Sequence, residues 1–255
     1  MTPGAAADPA ACSDAAAEQS WNEAALAQPV AAPAWRLWTY AQPAVVLGRS
    51  QRAWAAEAAQ ASPLEVVVRS AGGGAVLVGP WLLGLSALLP ASHPLAARTP
   101  VASYRWLGEG VADALHEVGV GDALALSPEA VRERQPPGAP PDWACFGGLS
   151  PWEVVAGDGR KIAGLAQVRR RVGVLLVAGV LLDAPPWPAL CRALRRDDAE
   201  AERLRRTTVG AATLVAAPAD TLRERLRGAL ALRLQRALAA DGGDVSGPPA
   251  AGPAG

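Results

Sequence analysis

The chain has 255 residues, 51% of them hydrophobic, and its 24 Lys and Arg residues balance 24 Asp and Glu residues. This length and composition predict a soluble globular protein of one large domain or two small ones, and balanced charge without a basic block excludes nucleic acid as a partner. The sequence lacks both a run of about 18 apolar residues and a basic leader followed by an apolar stretch, so we expect a cytoplasmic protein without a membrane span or signal peptide.

The N-terminal half begins with a tail and a helix and continues as short strands. Residues 1–13 are small and without periodicity, which predicts disorder. Asp14–Gln28 has Ser13 or Asp14 as an N-cap candidate and apolar residues at helical spacing, which predicts a helix that ends before Pro29. Apolar runs bounded by Gly or Pro then predict strands over Trp35–Tyr40, Ala44–Gly48, Glu65–Arg69, Ala75–Val78 and Leu82–Leu89.

The C-terminal half contains further strands between helices. Helical spacing predicts a helix over Val101–Val118 on one face of the sheet, and the prolines of Gln135–Asp142 predict a loop. Strands are predicted over Trp152–Val155, Lys161–Val168 and Val172–Asp183, the last two as a hairpin. Two further helices and a disordered tail are predicted over Pro188–Arg196, Thr221–Ala240 and Asp241–Gly255.

A glycine-rich turn joins two of the predicted strands. Arg69 ends the first strand, and Gly72, Gly73 and Gly74 precede Ala75, which begins the next. Backbone without side chains lets a ligand lie on the turn and points N–H groups towards it, but an ordinary hairpin turn has the same pattern. The pattern is neither a P-loop nor a dinucleotide fingerprint.

The three cysteines are Cys12, Cys145 and Cys191, and only two histidines, His93 and His116, accompany them. Their wide spacing argues against a disulfide framework or a metal site. Cys145 follows the Pro-rich loop and is a candidate nucleophile, provided that a cation or donor lowers its pKa. The alternative is a small buried apolar side chain, which is our interpretation for the other two cysteines.

The chain contains a single lysine, Lys161, against 23 arginines. A sequence that otherwise uses arginine for its cations suggests that this position requires lysine. Small residues follow it, including Gly164, so its ammonium group can project over open space and bind a carbonyl or phosphate oxygen. The alternative is a solvated lysine at the end of a strand.

These motifs, taken in order, resemble the biotin/lipoate A/B protein ligases, a family of lipoate ligases, biotin ligases and octanoyl transferases. The resemblance runs from about Glu18 to Leu238, and Cys145 followed by Trp152-Glu153-Val154 is similar to the octanoyl transferase branch. It implies an α+β fold, a mixed β-sheet flanked by helices, with a single catalytic domain over residues 14–240. Its motifs are Asn22–Leu26, Val45–Gln51, Arg69 with Gly72–Val76, and Gly159–Gly164.

Four positions depart from the pattern of the ligases and of many transferases of the family. Val68, Ala71, Val78 and Gly79 stand where the family often has an Arg, a Ser and a His-Asp pair. Loss of these polar groups weakens ATP activation more than thioester exchange. We also expect the accessory C-terminal domain of the ligases to be absent.

The resemblance implies an acyltransferase of protein lipoylation. Cys145 would accept an octanoyl or lipoyl group from acyl carrier protein and pass it to a lysine of a lipoyl domain, such as glycine cleavage H protein or a 2-oxoacid dehydrogenase acyltransferase subunit. Lys161 would hold the carbonyl oxygen, and neither a cofactor nor a metal is expected. The implied substrate-binding residues are Arg69, Gly72, Gly73, Gly74, Ala75 and Gly164.

Two alternatives stay open. The first is an ATP- and Mg-dependent lipoate ligase in which Lys161 binds the acyl-adenylate and Cys145 is incidental. The second is a non-catalytic protein that binds lipoyl domains or a carboxylic ligand, as the missing polar groups suggest.

Overall fold

A computed structural model of the chain describes residues 13–96, 99–134 and 141–239, and the strands within them form two sheets. The six-stranded sheet has the order β1-β5-β9-β8-β7-β6 and is antiparallel throughout. The three-stranded sheet has the order β3-β2-β4 and is mixed, because β2 is parallel to β3 and antiparallel to β4. The strands are β1 (Ala34–Thr39), β2 (Ala44–Leu47), β3 (Glu65–Val68), β4 (Val76–Val78), β5 (Leu82–Leu89), β6 (Leu124–Ala125), β7 (Val154–Val155), β8 (Lys161–Arg170) and β9 (Gly173–Leu181).

The helices begin and end at residues that the sequence marks. Asp14 caps the first helix, since its Oδ1 accepts from the Ala17 N–H at 2.6 Å, and Thr99 caps the third in the same way through Ala102. The helices are α1 (Ala15–Ala25), α2 (Ala55–Ala61), α3 (Pro100–Glu117), α4 (Pro128–Glu133), α5 (Trp187–Ala193), α6 (Asp198–Thr207), α7 (Ala211–Val215) and α8 (Ala219–Ala239), with a 3-10 helix at Arg49–Trp54.

Both faces of the large sheet are covered, which is why every residue of β5 is buried. Leu83, Leu85 and Leu89 pack in the core that α3 and α8 form on one face. Leu82 belongs to the core on the other face, where the small sheet and α5 lie. This second core leaves a cleft between the two sheets, described below.

The predicted α+β class is confirmed, with strands in mixed pairing and helices on the outside. The strands divide into two sheets because β2 pairs with β3 and β4 rather than with β1. The predicted hairpin is present as β8 and β9, in register from Ala163 opposite Val180 to Arg170 opposite Gly173.

The sequence analysis assigns no element to several short segments that are helical. The sequence of α6, DAEAERLRRT, buries only Ala201 and Leu204, so its apolar stripe is too sparse to predict a helix. The same holds for α2, whose residues are mostly alanine and which buries only Ala58. The predicted tails, apart from Ser13, and residues 135–140 of the predicted loop lie outside the described residues.

No helix within the described ranges is long and apolar enough to cross a membrane.

Helix α8 provides a direct test of the core beneath it. Leu226 is fully buried, whereas Leu232 is 45% exposed on the same helix. We expect Leu226→Ala to lower the free energy of unfolding by about 2–5 kcal/mol, because it removes buried methyl groups and leaves a cavity. Leu232→Ala is the matched control and should change it little. Urea titration followed by circular dichroism measures both, and equal losses would contradict the packing described here.

Candidate active site

A pair of backbone hydrogen bonds holds the Cys145 segment beside Ala75, the residue directly before β4 of the small sheet. The Cys145 N–H donates to the Ala75 carbonyl at 2.8 Å, and the Ala75 N–H donates to the Trp143 carbonyl at 2.7 Å. The glycine-rich turn that precedes Ala75 is therefore fixed against the cysteine segment. The thiol is free and half-buried.

Lys161 makes three short contacts at the first position of β8, where its side chain is almost completely buried. Its Nζ donates to Glu153 Oε2 at 2.6 Å, to the Cys145 carbonyl at 2.7 Å and to the Gly148 carbonyl at 2.9 Å. The ring of Phe146 lies 5.4 Å from the same nitrogen. Every N–H of the ammonium group is thus used inside the protein.

Glu153 is the buried counter-charge of Lys161, and the sequence analysis did not single it out as a site residue. Its carboxylate also accepts from the Ser150 N–H at 2.7 Å and from the Leu165 N–H at 3.2 Å. Burial raises the pKa of Glu153, and the Lys161 ammonium acts in the opposite direction. In the sequence, Glu153 is a glutamate directly before the apolar strand Val154–Val155. Many exposed strands begin in the same way, so this pattern does not predict a site residue.

Three reactive or charged groups converge on Gly164. A Cβ at this position would lie 3.1 Å from Cys145 Sγ, 3.5 Å from Glu153 Oε1 and 3.5 Å from Lys161 Cε. The missing side chain therefore leaves room for the thiol beside the ion pair. The structure brings Cys145, Lys161 and Gly164 together, although 16 residues separate the first two in the sequence.

Arg69 braces the glycine-rich turn. Its guanidinium donates to the Gly72 carbonyl at 3.0 and 3.2 Å and to the Gly74 carbonyl at 2.8 Å. Gly73 has φ +89°, a conformation that favours glycine. Arg69 is nine-tenths buried, so it stabilises the turn from the inner side.

The cleft between the two sheets encloses about 590 Å³, part of it open to solvent, and Cys145 lies on its wall. Of the predicted site residues, Arg69, Cys145 and Gly164 line it, and so do Ala71 and Val78, two of the positions that depart from the ligase pattern. The substrate-binding role of Gly72, Gly73, Gly74 and Ala75 stays a prediction, because these residues are not among those that line the cleft. Lys161 is not among them either.

A second polar cluster lies on the cleft wall and has no counterpart in the sequence analysis. The Tyr40 hydroxyl donates to Glu18 Oε2 at 2.7 Å, and both side chains line the cleft. Burial raises the pKa of Glu18, and the hydrogen bond from Tyr40 partly offsets this. Helical spacing places Glu18 and Asn22 on the same face of α1, and Asn22 begins a motif of the family resemblance, but neither was predicted as a site residue.

Within the described residues, no group of three His, Cys, Asp or Glu side chains could hold a metal ion.

Comparison with known proteins places these features in context. The family model described as the lipoyl protein ligase A/B catalytic domain matches residues 14–209. Octanoyltransferase LipM of Kyrpidia tusciae is 35% identical over 216 residues, which cover 82% of this chain and 76% of that relative. Octanoyltransferase LipM of an Exiguobacterium species is 37% identical over 146 residues, 56% of this chain and 52%, about half, of that relative.

The fold is shared with solved structures as well. A bi-partite lipoate protein ligase from Thermoplasma acidophilum superimposes with a TM-score of 0.59 at 20% identity, over 86% of this chain and 78% of that chain. This likeness confirms the predicted fold.

The buried ion pair should dominate the stability of this region. We expect Glu153→Gln and Lys161→Met each to lower the free energy of unfolding by about 3–5 kcal/mol, because either change leaves a buried charge without its partner. The double variant should lose less than the two single losses combined. Urea titrations of the four proteins measure this coupling.

The exposed pair of Arg105 and Glu109 provides the control for that cycle. Glu109→Gln should hardly change stability, since solvent screens the pair. Losses at Glu153 and Lys161 that simply add would show that the two side chains do not depend on each other.

Proposed function

Since the chain belongs to the lipoyl protein ligase A/B catalytic domain family, we propose that it is an acyltransferase of protein lipoylation that works through a Cys145 thioester. The observation that carries this proposal is a half-buried thiol on the wall of a mostly apolar cleft, on a residue whose backbone carbonyl accepts from a buried ammonium group. Among the described residues that line the cleft there is no histidine. A thiol suits such a site better than a hydroxyl, because it needs less help from a base.

The first step of the proposed reaction loads the enzyme. The Cys145 thiolate attacks the carbonyl carbon of an octanoyl or lipoyl thioester on acyl carrier protein, so a new C–S bond forms. The bond between the carbonyl carbon and the carrier sulfur then breaks. The carrier leaves as a thiolate and takes up a proton from solvent, equivalent to the one that Cys145 released. Exchange of one thioester for another is near energetic balance, so the step requires no ATP.

Lys161 supports this step by its charge. Its ammonium group is fixed against the backbone carbonyl of Cys145, and its charge stabilises the oxyanion of the tetrahedral intermediate. All three of its N–H groups are occupied in the free protein. A direct hydrogen bond to the substrate oxygen, as expected from the resemblance, therefore requires one resident acceptor to be displaced.

The second step transfers the acyl group to the acceptor. The neutral amine of a lysine on a lipoyl domain attacks the Cys145 thioester, an amide C–N bond forms, and the bond to Sγ breaks. The proton released by the amine returns to the departing thiolate. Glycine cleavage H protein and the 2-oxoacid dehydrogenase acyltransferase subunits carry acceptors of this kind, and we place the reaction in the cytoplasm.

The composition of the cleft supports transfer over ATP-dependent ligation. Ala71 and Val78 line it with methyl groups at positions where the ligases and many transferases of the family have a hydroxyl and an imidazole. An adenylate would lose polar partners at these two positions, whereas an acyl chain gains apolar contacts. ATP-dependent ligation and binding without catalysis are the two alternatives that the following experiment distinguishes from transfer.

The acyl-enzyme should be directly observable. When the protein is incubated with octanoyl acyl carrier protein but without ATP or acceptor, we expect one octanoyl group to accumulate on Cys145, because the second step cannot occur. Intact mass spectrometry detects the adduct, and hydroxylamine should remove it. Cys145→Ala should form none, whereas Cys191→Ala and Cys12→Ala should still form it.

Two other results would point elsewhere. Modification of a lipoyl domain that depends on ATP and passes through no protein adduct would favour the ligase. Tight binding of a lipoyl domain without an adduct or a product would favour the non-catalytic protein.

Lys161 should not tolerate arginine. The site surrounds a compact ammonium group with three acceptors, and a planar guanidinium is larger and has a different donor geometry. We expect Lys161→Arg to slow acyl loading roughly 100-fold, as loss of one oxyanion-type donor does. Arg160→Lys on the neighbouring, more exposed residue is the matched control and should load at the normal rate. Normal loading by a folded Lys161→Arg variant would remove Lys161 from the mechanism.

A further inference from the structure

Three glycines lie in one row across the large sheet. Gly164 of β8 is directly opposite Gly179 of β9, which is in turn directly opposite Gly84 of β5. Residues that are directly opposite in an antiparallel sheet have their side chains on the same face. The row is therefore a strip of sheet without side chains that runs perpendicular to the strands.

The atoms above each glycine show what this strip faces. A Cβ on Gly164 would lie 3.1 Å from Cys145 Sγ, and a Cβ on Gly179 would lie 3.4 Å from Leu82 Cδ1. A Cβ on Gly84 would lie 2.2 Å from the Tyr40 hydroxyl oxygen. Gly164, Gly179, Leu82 and Tyr40 all line the cleft, so the strip forms part of its floor. It begins at the thiol and ends under the tyrosine.

The cleft is polar where the strip ends under Tyr40, although most of the cleft lining is apolar. The Tyr40 hydroxyl is held by Glu18, and the carboxylate of Glu18 also interacts with Gln19 and Asn22. Asn22 Oδ1 is buried and has no hydrogen-bond partner among the described residues. Methylene groups that entered this cluster would separate hydrogen-bonded polar groups from their partners, which is costly.

The length of the strip matches a medium acyl chain. Neighbouring strands are about 4.8 Å apart, so the outer two glycines are separated by roughly 10 Å. An extended octanoyl chain attached to Cys145 has a length of the same order.

We infer that Tyr40, positioned by Glu18, determines acyl chain length by closing a channel whose floor is Gly164 and Gly179. This inference rests on the proposed function, because it assigns the substrate class of the same site. The channel accepts a linear acyl group that ends before the Tyr40 hydroxyl. Longer chains are excluded by the polar cluster.

Competition between acyl donors tests this assignment. Hexanoyl-, octanoyl-, decanoyl- and dodecanoyl-carrier proteins are mixed in equal amounts with the enzyme without acceptor, and the Cys145 adducts are resolved by intact mass spectrometry. We expect the wild-type protein to load dodecanoyl at least about 10-fold more slowly than octanoyl. Tyr40→Leu removes the hydroxyl and should raise the dodecanoyl-to-octanoyl ratio at least about 10-fold.

Gly179→Ala tests the floor independently of the end. Its added methyl group would be in ordinary contact with Leu82, so the protein should fold, but the channel becomes narrower and the octanoyl-to-hexanoyl ratio should fall roughly 10-fold. Gly110→Ala is the matched control, because a Cβ there has no heavy atom within 4 Å. If Tyr40→Leu does not fold, Tyr40→Phe, which keeps the ring and removes only the hydroxyl, replaces it in the same competition and should change the dodecanoyl-to-octanoyl ratio in the same direction.

A binding measurement separates failure of this inference from failure of the proposed function. Hexanoate, octanoate and dodecanoate are titrated calorimetrically into the Cys145→Ala protein, with and without the channel substitutions. The dissociation constants report the length preference of the channel, because this protein cannot form the thioester. Absence of every adduct would refute the proposed transferase activity. The fatty acid affinities would then show separately whether Tyr40 and Gly179 determine the preferred chain length. Unchanged length preference in the folded variants by both measurements, or no binding of any fatty acid, would overturn the assignment of Tyr40.

Discussion

The ion pair between Lys161 and Glu153 is almost completely buried, and the arrangement around Cys145 depends on it. Removing two charges from water is costly, and here the cost is offset by direct contact and by hydrogen bonds with backbone groups of the loop 141–153 and of β8. The loop that contains Cys145 cannot move away without leaving a charged group unpaired. The position of the thiol is therefore determined electrostatically as well as by packing.

The same loop also connects the two sheets. The Cys145 N–H donates to the Ala75 carbonyl beside the small sheet. The Cys145 carbonyl accepts from the ammonium group of Lys161, which is the first residue of β8 in the large sheet. The cleft lies between these two attachments, so its width at the thiol depends on both. A half-buried thiol can then face a ligand space while its loop is held at both attachments.

Much of the fold follows from local patterns, whereas most of the site depends on pairing between distant residues. The hairpin of β8 and β9 and the cap at Asp14 were predicted because apolar runs, turns and capping residues are local signals. Helix α6 was missed because its sequence has few apolar residues, and the division into two sheets depends on which strands pair. Cys145 and Lys161 stood out by residue type and by resemblance. Glu153, by contrast, can be recognised as a site residue only once its burial is known. The glycine row can be recognised only once the pairing register of β5, β9 and β8 is known.

The arginine bias of the chain matters for the proposed function. A protein that holds an activated acyl group and delivers it to lysine amines risks modifying its own surface. This sequence contains one lysine, and that residue is 1% exposed with its nitrogen held by three acceptors. Under the proposed function, a thioester on this protein would meet no exposed lysine of its own chain, so composition and burial together would suppress self-acylation.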